Sequence, residues 1–168
     1  AALTNQLPLS GDVDLYGVRF GPPLADDPGE VPGSFRYAVS ANYLQTMGIP
    51  LRSGRLLANE DRADAARVAV VSEALMRRRL GGLDAIGREL RIGPAVGPPF
   101  TIVGVVGDVH QESLALTDAD AVYVPADQWH FADDSRTLVV RVRGSAAALA
   151  PSVRAAVLSG ARHQPFTP

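Results

Sequence analysis

Phe100 to Val109, FTIVGVVGDV, is a near-continuous apolar run rich in β-branched residues, entered from a Pro/Gly loop and left through Gly107-Asp108. A strand with one wet face alternates, so this run predicts a strand buried on both faces. Gly104 inside it predicts a neighbour packed close to the backbone. Other stretches do alternate. Asp14–Phe20 places Tyr16, Val18 and Phe20 on one face, Ser34–Val39 places Phe35, Tyr37 and Val39, and Glu89–Ile92 places Leu90 and Ile92 inward. Thr137–Arg143 sets Leu138, Val140 and Val142 against Val139, Arg141 and Arg143. Arg67–Val71 and Ala121–Pro125 are short apolar strands, and Ile49–Leu57 is extended with a Ser-Gly bend. Glu89–Ile92 and Phe100–Val109 form a hairpin across the Gly93–Pro99 loop.

Three helices follow from punctuation as much as from period. Ser40 is placed to N-cap a short helix, Ala41–Met47, that ends at Gly48 and Pro50. Ser72 caps Glu73–Leu80, with Glu73 in the first turn, Arg77, Arg78 and Arg79 in the last, and Gly81-Gly82 as the stop. The final helix carries the stripe Leu149, Val153, Val157. It opens at Ser145 and kinks at Pro151, or its regular part begins at Pro151. Gly21–Gly33, Asn59–Ala66, Gln111–Asp120 and Gln128–Arg136 are loops, the first rich in Pro, Gly and acids.

Length and composition then restrict function. At 168 residues the chain can bury a real core. A net charge of -2 argues against a general nucleic-acid binder, which needs a basic face. All 16 basic residues are Arg, so there is no P-loop lysine, Schiff-base lysine or Ser-x-x-Lys. The absence of Cys excludes disulfides, thiolate zinc sites and cysteine nucleophiles. No apolar run approaches the ~20 residues that span a bilayer. A chain opening at Ala1 without a signal-peptide pattern is expected to be a piece of something longer.

Candidate chemistry is thin. Asp108-x-His110-x-Glu112 would put three ligands on one side of an extended segment, yet a polar turn after a buried strand gives the same composition. Asp118-x-Asp120 opens like a calcium loop but lacks its Gly and closing Glu. His130 and His163 are isolated. Gly104-x-x-Gly107-Asp108 does not open a helix as a dinucleotide loop must. Ser72 stands at a strand-to-helix junction, as a nucleophile does, but capping accounts for it. Arg77–Arg79 at a helix C-terminus read as dipole compensation on a solvated face. Trp129-His130-Phe131 is a cluster of large rings that is either a cap over the core or a contact surface for a partner, and the cap is favoured because loop aromatics usually fold back. No catalytic, cofactor-binding or metal residue is expected, and partner contacts are left unassigned.

Five segments in order carry a resemblance. They are YAVSANYLQTMGIPLRSGRLL (Tyr37–Leu57), ARVAVVSEALMRRRLGGLDAIGRELRIG (Ala66–Gly93), PFTIVGVVGDV (Pro99–Val109), AVYVPADQ (Ala121–Gln128), and TLVVRVRG with its Ala-rich helix and Arg162-His163. This order resembles the periplasmic core domain of MacB-like ABC-transporter permeases of the FtsX-like superfamily, closest to the duplicated-permease branch. The resemblance implies an α+β (mixed α/β) fold in two small subdomains, each a short mixed sheet with one or two helices. A discontinuous porter-like unit would comprise residues 1–47 and 129–168, and an inserted sabre-like unit 48–128. It further implies a non-catalytic domain outside the cytoplasmic membrane, between two transmembrane helices of a permease. Its work would be to relay ATP-driven helix motion to a periplasmic adaptor, a lipoprotein or an exported substrate, with the ATPase a separate cytoplasmic module and no cofactor of its own. The readings from other classes are a free-standing periplasmic small-molecule or peptide binding module, and a small α/β enzyme using Asp108, His110 and Glu112.

Overall fold

A computed structural model of the chain describes residues 1–11, 13–21, 31–93, 98–111, 120–129 and 136–160. The elements in chain order are β1 (Ala2–Thr4), β2 (Leu15–Phe20), β3 (Gly33–Val39), α1 (Tyr43–Met47), β4 (Leu51–Gly54), β5 (Val68–Ser72) and α2 (Glu73–Leu80). They continue with β6 (Glu89–Ile92), β7 (Phe100–Val106), β8 (Ala121–Pro125), a 3-10 turn at Ala126–Gln128, β9 (Thr137–Val139) and α3 (Ala146–Gly160). The fold is mixed α/β, as the sequence pattern and the resemblance both imply. No helix among the described residues is long and apolar enough to cross a membrane.

The described strands pair into one sheet in the order β2-β6-β7-β5-β8-β3-β1-β9, with β4 also on β7. A further pairing of β2 with β3 closes six of them into a ring. Four consecutive ring strands, β6-β7-β5-β8, come from residues 48–128, and β2 and β3 come from 1–47. The β5–β7 and β3–β8 ladders are parallel; the other ring ladders are antiparallel.

Alternation along each ring strand sorts the apolar residues into two cores. Val18, Ala38, Ala69, Val71, Leu90, Ile92, Phe100, Ile102, Val122 and Val124 come from all six ring strands and share one cluster, so they fill the interior. Phe35, Tyr37, Val39, Val68, Val70, Ala121 and Tyr123 lie on the outer face of β3, β5 and β8, covered by Tyr43 and Leu44 of α1 and by Leu57. Strands that wall a ring and also lie under a helix are buried on both faces. This is why β3, β5 and β8 show almost no wet side. β7 is buried on both faces only in its second half, since Thr101 and Val103 remain partly exposed.

α2 covers the end of the ring where β5 leaves. Ser72 caps it through its Oγ, which accepts from Leu75 N at 3.2 Å, and Gly81 ends it in a left-handed conformation, both as the sequence indicates. One helix expectation is corrected, and of the two alternatives for the last helix the opening at Ser145 holds. The cap residue of α1 is Asn42, because the Ser40 hydroxyl is taken by the amide of Leu3 on β1 at 2.9 Å. α3 begins at Ala146 with Pro151 in its interior, Ser145 Oγ accepting from Ala148 N. The strand expected over Thr137–Arg143 stops at Val139, where its partner β1 runs out opposite Ala2. Its inward residue is Val139, packed on the outer core, and Leu138 and Val140 are exposed. The acidic Gly21–Gly33 loop and the polar Gln111–Asp120 loop fall largely outside the described residues.

Candidate functional site

Three groupings of polar and aromatic side chains stand out among the described residues. The first is the end of the ring under α2. Asp108, just past β7, accepts from Ala74 N at 2.6 Å in the first turn of α2, where the dipole favours an anion. Its other oxygen pairs with Arg77 at 2.9 Å. Asp120, buried just ahead of β8, takes Arg78 at 2.8 Å and Arg79 at 2.9 Å. Arg79 also donates to the Pro32 carbonyl at 2.7 Å. Arg77 and Arg78 are half-exposed, as a solvated face predicts, and all three side chains also tie the entry and exit of neighbouring loops to one helix. Spacing along the chain could not show this, because both acids come from more than thirty residues away.

The second place is the outer face of β3 and β8. Tyr37 and Tyr123 stack with ring centroids 5.1 Å apart, and Tyr43 of α1 lies 6.3 Å from each. The Tyr37 hydroxyl donates to Gln111 Oε1. Burial raises the pKa of all three phenols, Tyr43 to about 12, and the neighbouring phenols raise Tyr37 further. Neutral, buried and stacked, they serve packing and supply no nucleophile or acid at neutral pH.

The third place is the opposite end of the ring interior. Trp129 meets Tyr16 edge-on at 5.3 Å and Phe100 at 6.3 Å. Arg36 lies over Tyr16 and Trp129, and Arg67 covers the far side of Phe100 at 3.9 Å. Trp129 thus caps the core, as its sequence context suggests; His130 and Phe131 lie outside the described residues. Arg36 is the residue that the strand pattern missed. Alternation puts it opposite Phe35 and Tyr37, the face read as outward, but in a closed ring that face is the interior.

The sequence candidates do not converge on a reactive centre. Both oxygens of Asp108 are engaged, His110 is partly buried nearby, and Glu112 lies outside the described residues. Asp118, His130 and His163 also lie outside them. Among the described residues no three His, Asp or Glu side chains group as metal ligands would. The Ser72 hydroxyl is fully buried and accepts from both Leu75 N and Ala121 N. That saturates its lone pairs, so it acts as cap and strand tie.

The family model of the MacB-like periplasmic core domain matches residues 12–157. The chain belongs to that family. Solved structures share the fold at low identity. The periplasmic region of MacB from Actinobacillus actinomycetemcomitans is similar with a TM-score of 0.58 at 16% identity, covering 94% of this chain and 65% of that one. A domain of a proposed permease from Porphyromonas gingivalis gives 0.53 at 19%, covering 98% and 64%. The extracellular domain of the noncanonic ABC-type transporter YknZ from Gram-positive bacteria gives 0.50 at 17%, covering 68% and 51%. The chain therefore spans less than two thirds of the length of these relatives. No curated protein sequence matches it significantly. As a MacB-like periplasmic core domain it is of the kind carried by ABC-type permeases, which are transport proteins.

Proposed function

We propose that this chain is a non-catalytic relay, on the periplasmic side of the cytoplasmic membrane, within an ABC-type permease. It would pass ATP-driven movement of flanking transmembrane helices to a periplasmic adaptor, a lipoprotein or an exported substrate. The observation that carries the reading is the family match across residues 12–157. The arrangement of charge supports it. Asp108, Asp120 and the α2 arginines are spent on fastening loops to the ring, which suits a body that must move as a unit. We propose the porter-like unit (1–47 with 129–168) and the sabre-like unit (48–128) as the functional division, meeting along the β2–β6 and β3–β8 ladders. The cytoplasmic ATPase would be reached only indirectly, through the membrane helices.

Two measurements test this. The reading frame on either side of the chain should encode apolar spans of ~20 residues, long enough to cross a bilayer. The purified chain should turn over no ATP. A frame that closes immediately on both sides without such spans, or nucleotide hydrolysis by the pure chain, would overturn the proposal. The first result would leave a free-standing binding module as the better reading.

A further inference from the structure

The joint that closes the ring is shorter than the two parallel joints and, unlike the other short antiparallel joints of the ring, contains a glycine pair. β5 and β7 run side by side from Val68 to Ser72 and from Thr101 to Val106, with branched apolar residues on both strands. The β2–β3 joint has three residue pairs, Leu15 with Phe35, Tyr16 with Ser34, and Gly17 with Gly33. The last of these has no side chain on either strand, so it gains nothing from cross-strand contact. At the other end of the joint, Asp14 and Arg36 meet twice. Arg36 N donates to the Asp14 carbonyl at 3.2 Å, and the guanidinium pairs with the Asp14 carboxylate. The two charges sit in unlike surroundings. Arg36 is 1% exposed, between the rings of Tyr16 and Trp129, while Asp14 is 32% exposed. An ion pair with one buried partner contributes little net stability, because desolvation offsets the attraction, but it constrains geometry tightly.

We propose that β2–β3 is the joint at which the ring opens, and that Asp14–Arg36 is the latch that holds it shut. The inference goes beyond the transport reading and stands without it. The latch joins a strand edge that water can reach to a charge inside the core. Breaking it loosens a joint that Gln6 still bridges, through Asp14 N and the carbonyls of Asp14 and Arg36, while the β5–β7 and β3–β8 ladders stay packed.

Amide hydrogen exchange on the 168-residue chain tests this, read residue by residue beside a thermal melt. In the native chain the β2–β3 amides, Arg36 N–H among them, should exchange through a local opening, faster than the amides of β5 and β7. In Arg36→Met, which keeps the bulk and removes the charge, protection of the β2–β3 amides should fall on the order of tenfold further, with β5, β7 and the melting temperature nearly unchanged. Equal protection of β2–β3 and β5–β7 in both proteins would overturn the proposal. So would a loss spread evenly over the sheet, which marks a residue of general structural importance. Should Arg36→Met fail to fold, the native chain decides alone, equal protection of β2–β3 and β5–β7 overturning the proposal.

Discussion

Two cases show how narrowly single positions are fixed. A Cβ at Gly104 would collide with the carbonyl oxygen of Arg55, and at Gly54, which holds φ +72°, with the carbonyl of Val103. The obstacle in both cases is backbone, which cannot swing aside as a side-chain tip can. Gly104→Ala should therefore destabilise the chain by about 3 kcal/mol, the upper end of what overpacking a core costs. A thermal melt should show a fall of roughly 6–12 °C for a chain of this size; an unchanged melt would mean the strands separate freely there. Gln128 is the second case. It is buried, its Oε1 accepts from Val68 N, and its Nε2 donates to the carbonyls of Arg62 and Ala66. Gln128→Leu keeps the bulk but strands three backbone groups, so chemical denaturation should register a loss of about 3 kcal/mol. These residues were not equally legible. Gly104 announced itself as the one glycine in an apolar strand. Gln128 carries no local signal, since its partners lie some sixty positions away.

At the scale of elements, the sequence located β2, β3, β5, β6, β7, β8 and α2 well, because each has a period or a cap that acts locally. It failed where a partner decides the outcome. β9 is only as long as β1 allows, and which face of β3 is interior depends on a ring closed by β2. The tyrosine face is the element-scale feature with a measurable signature. Unfolded phenols titrate near pH 10, and burial holds Tyr43 to about 12 with Tyr37 and Tyr123 raised as well. Between those values the native state retains protons that the unfolded state has lost. Stability is then fully present below pH 10 and declines as pH rises above it. Denaturation midpoints should hold steady from pH 8 to about 10 and drop beyond, with phenolate absorbance rising together with unfolding. In Tyr16→Phe, which leaves only the three stacked phenols, phenolate appearing below pH 11 in a still-folded chain, with no loss of stability, would show that the stack is open to solvent.

For the whole molecule, the decisive geometry is where the first and last described strands meet. β1 and β9 are antiparallel, with Ala2 opposite Val139 and Thr4 opposite Thr137. The chain thus enters and leaves the sheet at the same end of one short ladder, and forces applied there act on β1 and β9 first. β1 is further fastened to the body: Asn42 Nδ2 donates to the Ala1 carbonyl, and Ser40 N to that of Leu3. If the domain relays motion between flanking helices, β1 and β9 must be able to shift relative to each other. The chain contains no cysteine, so Ala2→Cys with Val139→Cys introduces one bridgeable pair at facing positions. In a full-length permease otherwise free of cysteine, oxidation of this pair should stop export while ATP hydrolysis continues, and a reductant should restore export. Export that persists through complete oxidation would mean that β1 and β9 move as one piece. The relay would then have to run through another joint of the ring.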